Sequence, residues 1–139
     1  MQRQWQLILV ADGDHDARVI LGAQLRHAGY RAIDAADGER ALSLARRRRP
    51  TLIIAELYLA AAGERCLVRA LKRDRDLAGI PVLVYTARIG AVDEEWALDA
   101  GCDGFITKPS HRADLMSEVG LLASAPTRER EDKRAASAS

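Results

Sequence analysis

Thr51-Leu52-Ile53-Ile54-Ala55-Glu56-Leu57-Tyr58-Leu59 decides how this 139-residue chain is read. Leu52 to Ala55 form an unbroken apolar run that ends on a carboxylate. A strand with one face in water alternates apolar and polar residues. An unbroken run has both faces covered, as in the middle of a parallel sheet. Open sheets of that kind place their ligand sites at the carboxyl ends of the strands. Glu56 therefore falls where a functional group is expected.

Upstream, Leu7 to Ala11 is a second short buried strand, broken by Asp12-Gly13-Asp14. Ala17, Leu21, Leu25 and Ala28 then recur at helical spacing. Asp14 is placed to cap that helix, and Gly29 to end it as a left-handed residue. Tyr30 to Ala36 contains another strand, and Asp37-Gly38 is a turn. The helix over Glu39 to Arg49 turns Ala41, Leu42 and Ala45 inward and stops at Pro50. Its Arg46-Arg47-Arg48-Arg49 run has two readings: a basic patch, or a solvated helix end whose cations suit the dipole.

Downstream, Ala60-Ala61-Ala62-Gly63 is a loop or an early helical start. Leu67, Val68 and Leu71 mark a third helix, which runs into the charged segment Lys72 to Asp76. Ile80 to Thr86 is a strand with Pro81 tolerated at its start. Asp93 to Ala100 is a helix ended by Gly101, Gly104 to Thr107 a short strand, and Arg112 to Leu122 a last helix with Leu115, Val119 and Leu122 inward. Strand and helix alternate five times. That rhythm requires a parallel sheet covered on both faces, because right-handed crossovers return each strand parallel to the last. The expected domain spans residues 1–123. Residues 124–139, rich in Ala, Ser and mixed charges, are expected to be a disordered tail.

Composition excludes some classes. Hydrophobic residues make up 48% and charged residues 29%, which is ordinary for a globular domain. A net charge of +1 gives no field toward nucleic acid or membrane. The N-terminal apolar run meets Asp12 too soon for a membrane span or signal peptide, so a cytoplasmic protein is expected. Cys66 and Cys102 have no metal-ligand spacing and read as reduced, packed thiols.

With the strands parallel, their carboxyl ends share one edge. That edge gathers Asp12, Gly13 and Asp14, then Glu56, Thr86 and Lys108. Carboxylates, a hydroxyl and an ammonium at one edge form a candidate polar site. Strand ends also carry such residues by chance.

From Leu7 to Leu122 the chain resembles the response-regulator receiver domain of two-component signalling. The stretches that carry the resemblance are Ile8-Leu9-Val10-Ala11-Asp12, Gly29-Tyr30 with Ala35-Ala36-Asp37-Gly38-Glu39-Arg40-Ala41-Leu42, Arg49-Pro50-Thr51-Leu52-Ile53-Ile54, Ile80-Pro81-Val82 with Tyr85-Thr86-Ala87, and Ala100-Gly101-Cys102-Asp103-Gly104-Phe105-Ile106-Thr107-Lys108-Pro109. The resemblance implies a flavodoxin-like (βα)5 fold, doubly wound around a five-stranded parallel sheet. It also implies an aspartate at the end of strand three that accepts a phosphoryl group. An acidic pair after strand one would hold Mg²⁺, and a hydroxyl and a lysine would bind the phosphoryl oxygens. Phosphoryl transfer depends on positioning and on neutralising equatorial oxygens, which suits a hard cation and an ammonium.

Residue by residue, Asp12, Thr86 and Lys108 match that pattern, and the resemblance implies a cis bond at Lys108-Pro109. Gly13 stands where the second acid is expected and Glu56 where the acceptor aspartate is expected. Asp14 lies one residue too far along and is better explained as the helix cap. Phe105 replaces the commoner tyrosine. These departures lead to the expectation of a degenerate receiver without a catalytic residue, not an enzyme. No cofactor and weak or absent Mg²⁺ binding are expected, with Asp12 as the remnant of a metal site.

The expected function is a phosphorylation-independent adaptor working through protein contacts. The face implied by the resemblance is helix four, strand five and helix five, residues 91–122, and a homodimer is possible through it. Trp96 on that face is either core or a contact anchor, while Ala97, Leu98 and Gly101 look core-like. The alternative is a phosphorylatable, Mg²⁺-dependent switch using Asp12, Asp14 or Glu56. DNA binding by the domain has only the arginine run behind it. Glu56 itself either carries charge toward Lys108 and Thr86, imitating a phosphorylated state, or is a tolerated polar residue at a strand end.

Overall fold

The structure, a computed structural model, describes residues 6–88 and 90–124. The unbroken apolar runs become the central strands. β1 (Leu7–Ala11), β3 (Leu52–Ala55) and β4 (Val82–Thr86) lie side by side, flanked by β2 (Arg31–Ala35) and β5 (Gly104–Thr107) in the order β2-β1-β3-β4-β5. Every pairing is parallel, with Ile8 opposite Leu52, Ile54 opposite Leu83 and Thr86 opposite Thr107. The edges are less apolar: Arg31 and Asp34 of β2 are exposed, and all of β5 is half-buried.

Alternate strand residues point to opposite faces, and each face is covered by its own helices. Leu9, Ala11, Ile53, Ala55, Val82 and Val84 pack under α2 (Gly38–Arg48), α3 (Leu67–Arg73) and α4 (Ala91–Ala100). Ile8, Val10, Leu52, Ile54 and Leu83 pack under α1 (His15–His27) and α5 (Arg112–Ser124). This is the doubly wound, flavodoxin-like (βα)5 arrangement.

The caps follow the sequence. Asp14 accepts the Asp16 amide at 3.1 Å and starts α1; Asp37 accepts the Arg40 amide at 2.8 Å and starts α2. Gly29 (φ 99°) and Gly101 (φ 103°) take the left-handed conformation after α1 and α4. Gly38 is needed for a different reason. A Cβ there would lie 2.0 Å from the Ala60 carbonyl oxygen, so the loop after β3 sits directly on the first turn of α2.

Several boundaries differ from expectation. β3 ends at Ala55, not Leu59, because its neighbour β1 ends at Ala11 and offers no further partner. The Glu56 amide makes the last cross-strand contact, to the Ala11 carbonyl at 2.9 Å, and Leu57 stays buried outside the strand. β4 starts at Val82 because Pro81 has no amide to donate. α4 begins at Ala91, and α5 continues to Ser124, so the first residue of the expected tail is helical. The remainder of that tail lies outside the described residues.

The Ala60–Gly63 segment is a tight turn. Ala61 and Glu64 exchange backbone hydrogen bonds at 3.0 and 2.9 Å, with Ala62 at φ 52° and Gly63 at φ 81°. Glu39 holds the Ala62 amide at 2.6 Å. Two of the four arginines at the end of α2 are engaged within the chain: Arg46 pairs with Asp74 at 2.9 Å and Arg49 reaches the Asp76 carbonyl at 2.7 Å. Lys72, expected in a merely charged segment, instead bonds Asp103 and the Ile80 carbonyl, both at 2.9 Å, tying α3 to the sheet.

Candidate functional site

The carboxyl ends of β1, β3, β4 and β5 bring Asp12, Glu56, Thr86 and Lys108 into one hydrogen-bonded cluster. The Lys108 ammonium donates to Asp12 Oδ2 at 2.7 Å and to Glu56 Oε2 at 3.2 Å. The other oxygen of each carboxylate is also engaged. Asp12 Oδ1 accepts the Asp14 amide at 2.9 Å. Glu56 Oε1 accepts the Leu57 amide at 3.1 Å and the Thr86 hydroxyl. Thr86, fully buried, in turn accepts the Arg88 amide at 3.1 Å.

The lysine is held from several sides. Its own amide bonds the Thr86 carbonyl at 2.7 Å, and the Lys108–Pro109 peptide is cis, as the resemblance implied. Its ammonium lies 5.2 Å from the centre of the Tyr85 ring, whose hydroxyl meets Ser110 at 3.3 Å. Burial works against the charge, but the hydrogen bond and charge of Asp12, followed by those of Glu56, outweigh it. Lys108 therefore titrates above an ordinary lysine.

Gly13 and the carboxylate of Asp14 do not join this cluster. Gly13 has no side chain to offer, and Asp14 is used as the α1 cap. The Asp12 carbonyl accepts Arg18 at 2.8 Å, and Arg18 also pairs with Asp34 at 3.0 Å, so the turn after β1 is pinned to α1 and β2. Beside the cluster, Asp12, Asp14, Asp16 and Lys108, with Ile20 and Tyr85 among the apolar and aromatic residues, border an open cavity of about 300 Å³. Among the described residues, no group of three or more His, Cys, Asp or Glu is arranged to hold a metal ion.

Phe105 sits on β5 opposite Val84 and packs half-buried against the α2–α4 side of the core. Trp96 is also half-buried there, and its ring stacks on Tyr58, with centroids 5.1 Å apart and planes 19° apart. Leu98, expected in the core, is instead 57% exposed, because the buried stripe of α4 runs through Ala97 and Ala100. Cys66 and Cys102 are free, and burial pushes both thiols up, Cys102 to about 11.

Sequence reasoning missed Tyr58 and Arg88. Each lies two residues beyond a residue of the cluster, and the Arg88 guanidinium sits 5.1 Å from the Tyr58 ring centre. An aromatic so close to Glu56, in a chain only 4% aromatic, was the available signal.

A parallel five-stranded sheet with a lysine, a hydroxyl and two carboxylates at its carboxyl edge defines a receiver-type module. The family model for the response regulator receiver domain matches residues 8–120, and the chain belongs to that family. It is 32% identical over 116 residues to a probable transcriptional regulator ycf27 of Porphyridium aerugineum, covering 84% of this chain and 47% of that protein. It is 31% identical over 119 residues to the DNA-binding response regulator MtrA of Mycolicibacterium smegmatis, covering 86% and 51%. The chain thus spans about half the length of these relatives.

Among solved structures, it resembles the signal receiver domain of a signal transduction histidine kinase from Syntrophus aciditrophicus. The TM-score is 0.77 at 31% identity, covering 86% of this chain and 90% of that one. It also resembles the receiver domain of a Pseudomonas aeruginosa sensor histidine kinase, solved with a magnesium ion coordinated in the active site cleft. There the TM-score is 0.77 at 27% identity, covering 86% and 98%. Among the described residues, no helix is long and apolar enough to cross a membrane.

Proposed function

We propose that this receiver domain is a phosphorylation-independent signalling module whose switch is set by its own Glu56 carboxylate. The observation that carries this reading is the pair of contacts from Glu56 to the Thr86 hydroxyl and the Lys108 ammonium. A hydroxyl and an ammonium are the donors that a transferred phosphoryl group would need. Here one side chain anion already occupies both, which favours a fixed phosphoryl-like state over an idle polar residue.

The chemistry of transfer is poorly supplied. Glutamate carries its carboxylate one methylene further out than aspartate, and a displacement near 1 Å costs on the order of a hundredfold in a reaction governed by positioning. Gly13 contributes no carboxylate, and the carboxylates of Asp12 and Glu56 are both bonded to the Lys108 ammonium. This donor set does not fit a resident divalent cation, which seeks free anionic oxygens. No catalytic residue follows from it.

Output in this reading passes through the face 91–122, where Val92 and Leu98 of α4 and Leu121 of α5 are exposed apolar side chains. A partner protein, or a second copy, would dock there. The relatives named as DNA-binding extend well beyond the aligned region, and a net charge of +1 gives the chain no general attraction to a phosphate backbone.

The test is intact-mass spectrometry after incubation with Mg²⁺ and acetyl phosphate. The natural chain is expected to stay unmodified. The double variant Gly13→Asp/Glu56→Asp is expected to gain a phosphoryl group, because a Cβ at Gly13 would meet only the Ala36 carbonyl oxygen at 3.8 Å. Mg²⁺-dependent modification of the natural chain at Asp12, Asp14 or Glu56 would establish the alternative, a phosphorylatable switch.

A further inference from the structure

Tyr58 and Arg88 close a circuit around the cluster. Tyr58 follows Glu56 by two residues, and Arg88 follows Thr86 by two. The Glu56 carboxylate accepts the Thr86 hydroxyl, the Thr86 oxygen accepts the Arg88 amide at 3.1 Å, and the Arg88 guanidinium lies over the Tyr58 ring. The backbone from Tyr58 to Glu56 completes the loop.

Tyr58 also faces outward from that circuit, onto α4. Its ring stacks on Trp96, and its hydroxyl donates to Asp93. Stacking on another ring and a cation over the face both favour an aromatic side chain, and Tyr58 makes both at once. Asp93 and Trp96 lie one helical turn apart, so both grip the same side of α4. The helix start has no side-chain cap of its own, because its N-cap is Gly90. Tyr58 is 41% exposed, so it is a surface fastening that can open without emptying the core. The hydrogen bond to Asp93 raises its phenol above the usual range, with a smaller contribution from burial.

We propose that Tyr58 is a latch that couples the Glu56–Thr86 contact to the position of α4, through Arg88 on one side and Trp96 with Asp93 on the other. α4 carries the exposed Val92 and Leu98, so the latch would set the geometry of the surface offered to a partner. This rests on the reading of Glu56 as the residue that sets the switch, and adds the route by which its state leaves the site.

Trp96 is a built-in reporter. The chain has two tryptophans, so Trp5→Phe leaves Trp96 as the sole indole. In that background, Glu56→Ala is compared with Glu56→Ala/Tyr58→Leu, each against its own parent, by Trp96 emission, acrylamide quenching and the amide resonances of α4. With Tyr58 present, Glu56→Ala, which removes the acceptor of the Thr86 hydroxyl, is expected to shift Trp96 emission to the red, increase quenching and displace the α4 resonances. In the Tyr58→Leu background these responses to Glu56→Ala are expected to vanish. Tyr58→Phe, which keeps the ring and loses the bond to Asp93, is expected to retain part of them. Equal responses with and without Tyr58 would overturn the latch, and so would no response with Tyr58 intact. Neither outcome alters the mass measurement, so the latch and the phosphorylation-independent reading fail separately.

Discussion

Replacing Lys108 by Met is the sharpest test of how the cluster is held together. Met keeps an unbranched apolar stem of similar reach and removes only the ammonium and its two hydrogen bonds, to Asp12 at 2.7 Å and to Glu56 at 3.2 Å. Hydrogen bonds to charged groups contribute about 1.5–3 kcal/mol each, and breaking a buried pair by deleting one partner costs about 3–5 kcal/mol. The side chains are 22%, 12% and 25% exposed for Lys108, Asp12 and Glu56, so solvent softens but does not remove that cost. A destabilisation of about 3 kcal/mol at neutral pH follows.

The pH dependence has a defined sign. Lys108 titrates higher in the folded chain than in the unfolded one, so its contribution is complete below the ordinary lysine pKa and is lost as pH rises through the folded value. The Lys108→Met variant has no amine to titrate, so its deficit should shrink as pH rises through the folded lysine value. Urea unfolding of both proteins at neutral and alkaline pH measures this. A deficit under about 1 kcal/mol, the range of exposed ion pairs, or one independent of pH, would refute the argument.

Two further predictions test the frame around the site. Gly38→Ala forces a Cβ against the Ala60 carbonyl oxygen at 2.0 Å and the Ala61 Cβ at 2.6 Å; the expected loss is about 1–3 kcal/mol in urea unfolding, and a neutral effect would show that the loop after β3 is not seated on α2. Cys102, with its thiol pushed up to about 11 by burial first and by Asp103 second, should alkylate far more slowly with iodoacetamide at pH about 8 than a free thiol of ordinary pKa; labelling at the free-thiol rate would contradict that packing.

Much of this architecture is legible in the sequence, because burial on both sheet faces leaves a direct trace. Leu52-Ile53-Ile54-Ala55 has no polar position at which a solvated face could lie, and Asp14, Asp37, Gly29 and Gly101 mark helix ends for reasons local to the backbone. That Asp12, Glu56, Thr86 and Lys108 share one edge of the sheet follows from parallel topology. What periodicity does not carry is contact between segments. Nothing local to Tyr58 announces a partner in Trp96, and Leu98 is misplaced by periodicity because a short helix with apolar residues at several spacings fits more than one buried stripe. Leu57 shows a related limit. It is apolar and buried, which resembles a strand, yet it lies beyond the point where β1 can pair with it.

The central claim is that Glu56 already occupies the place of the phosphoryl group, and one titration meets it directly. Beryllofluoride with Mg²⁺ mimics an acyl phosphate, and its binding requires a vacant acceptor carboxylate, a metal, and free donors from Thr86 and Lys108. Followed by the amide resonances of Thr86, Phe105 and Lys108, the natural chain should show no saturable Mg²⁺-dependent change, while Gly13→Asp/Glu56→Asp should show one. A saturable, Mg²⁺-dependent shift of those resonances in the natural chain would contradict the account.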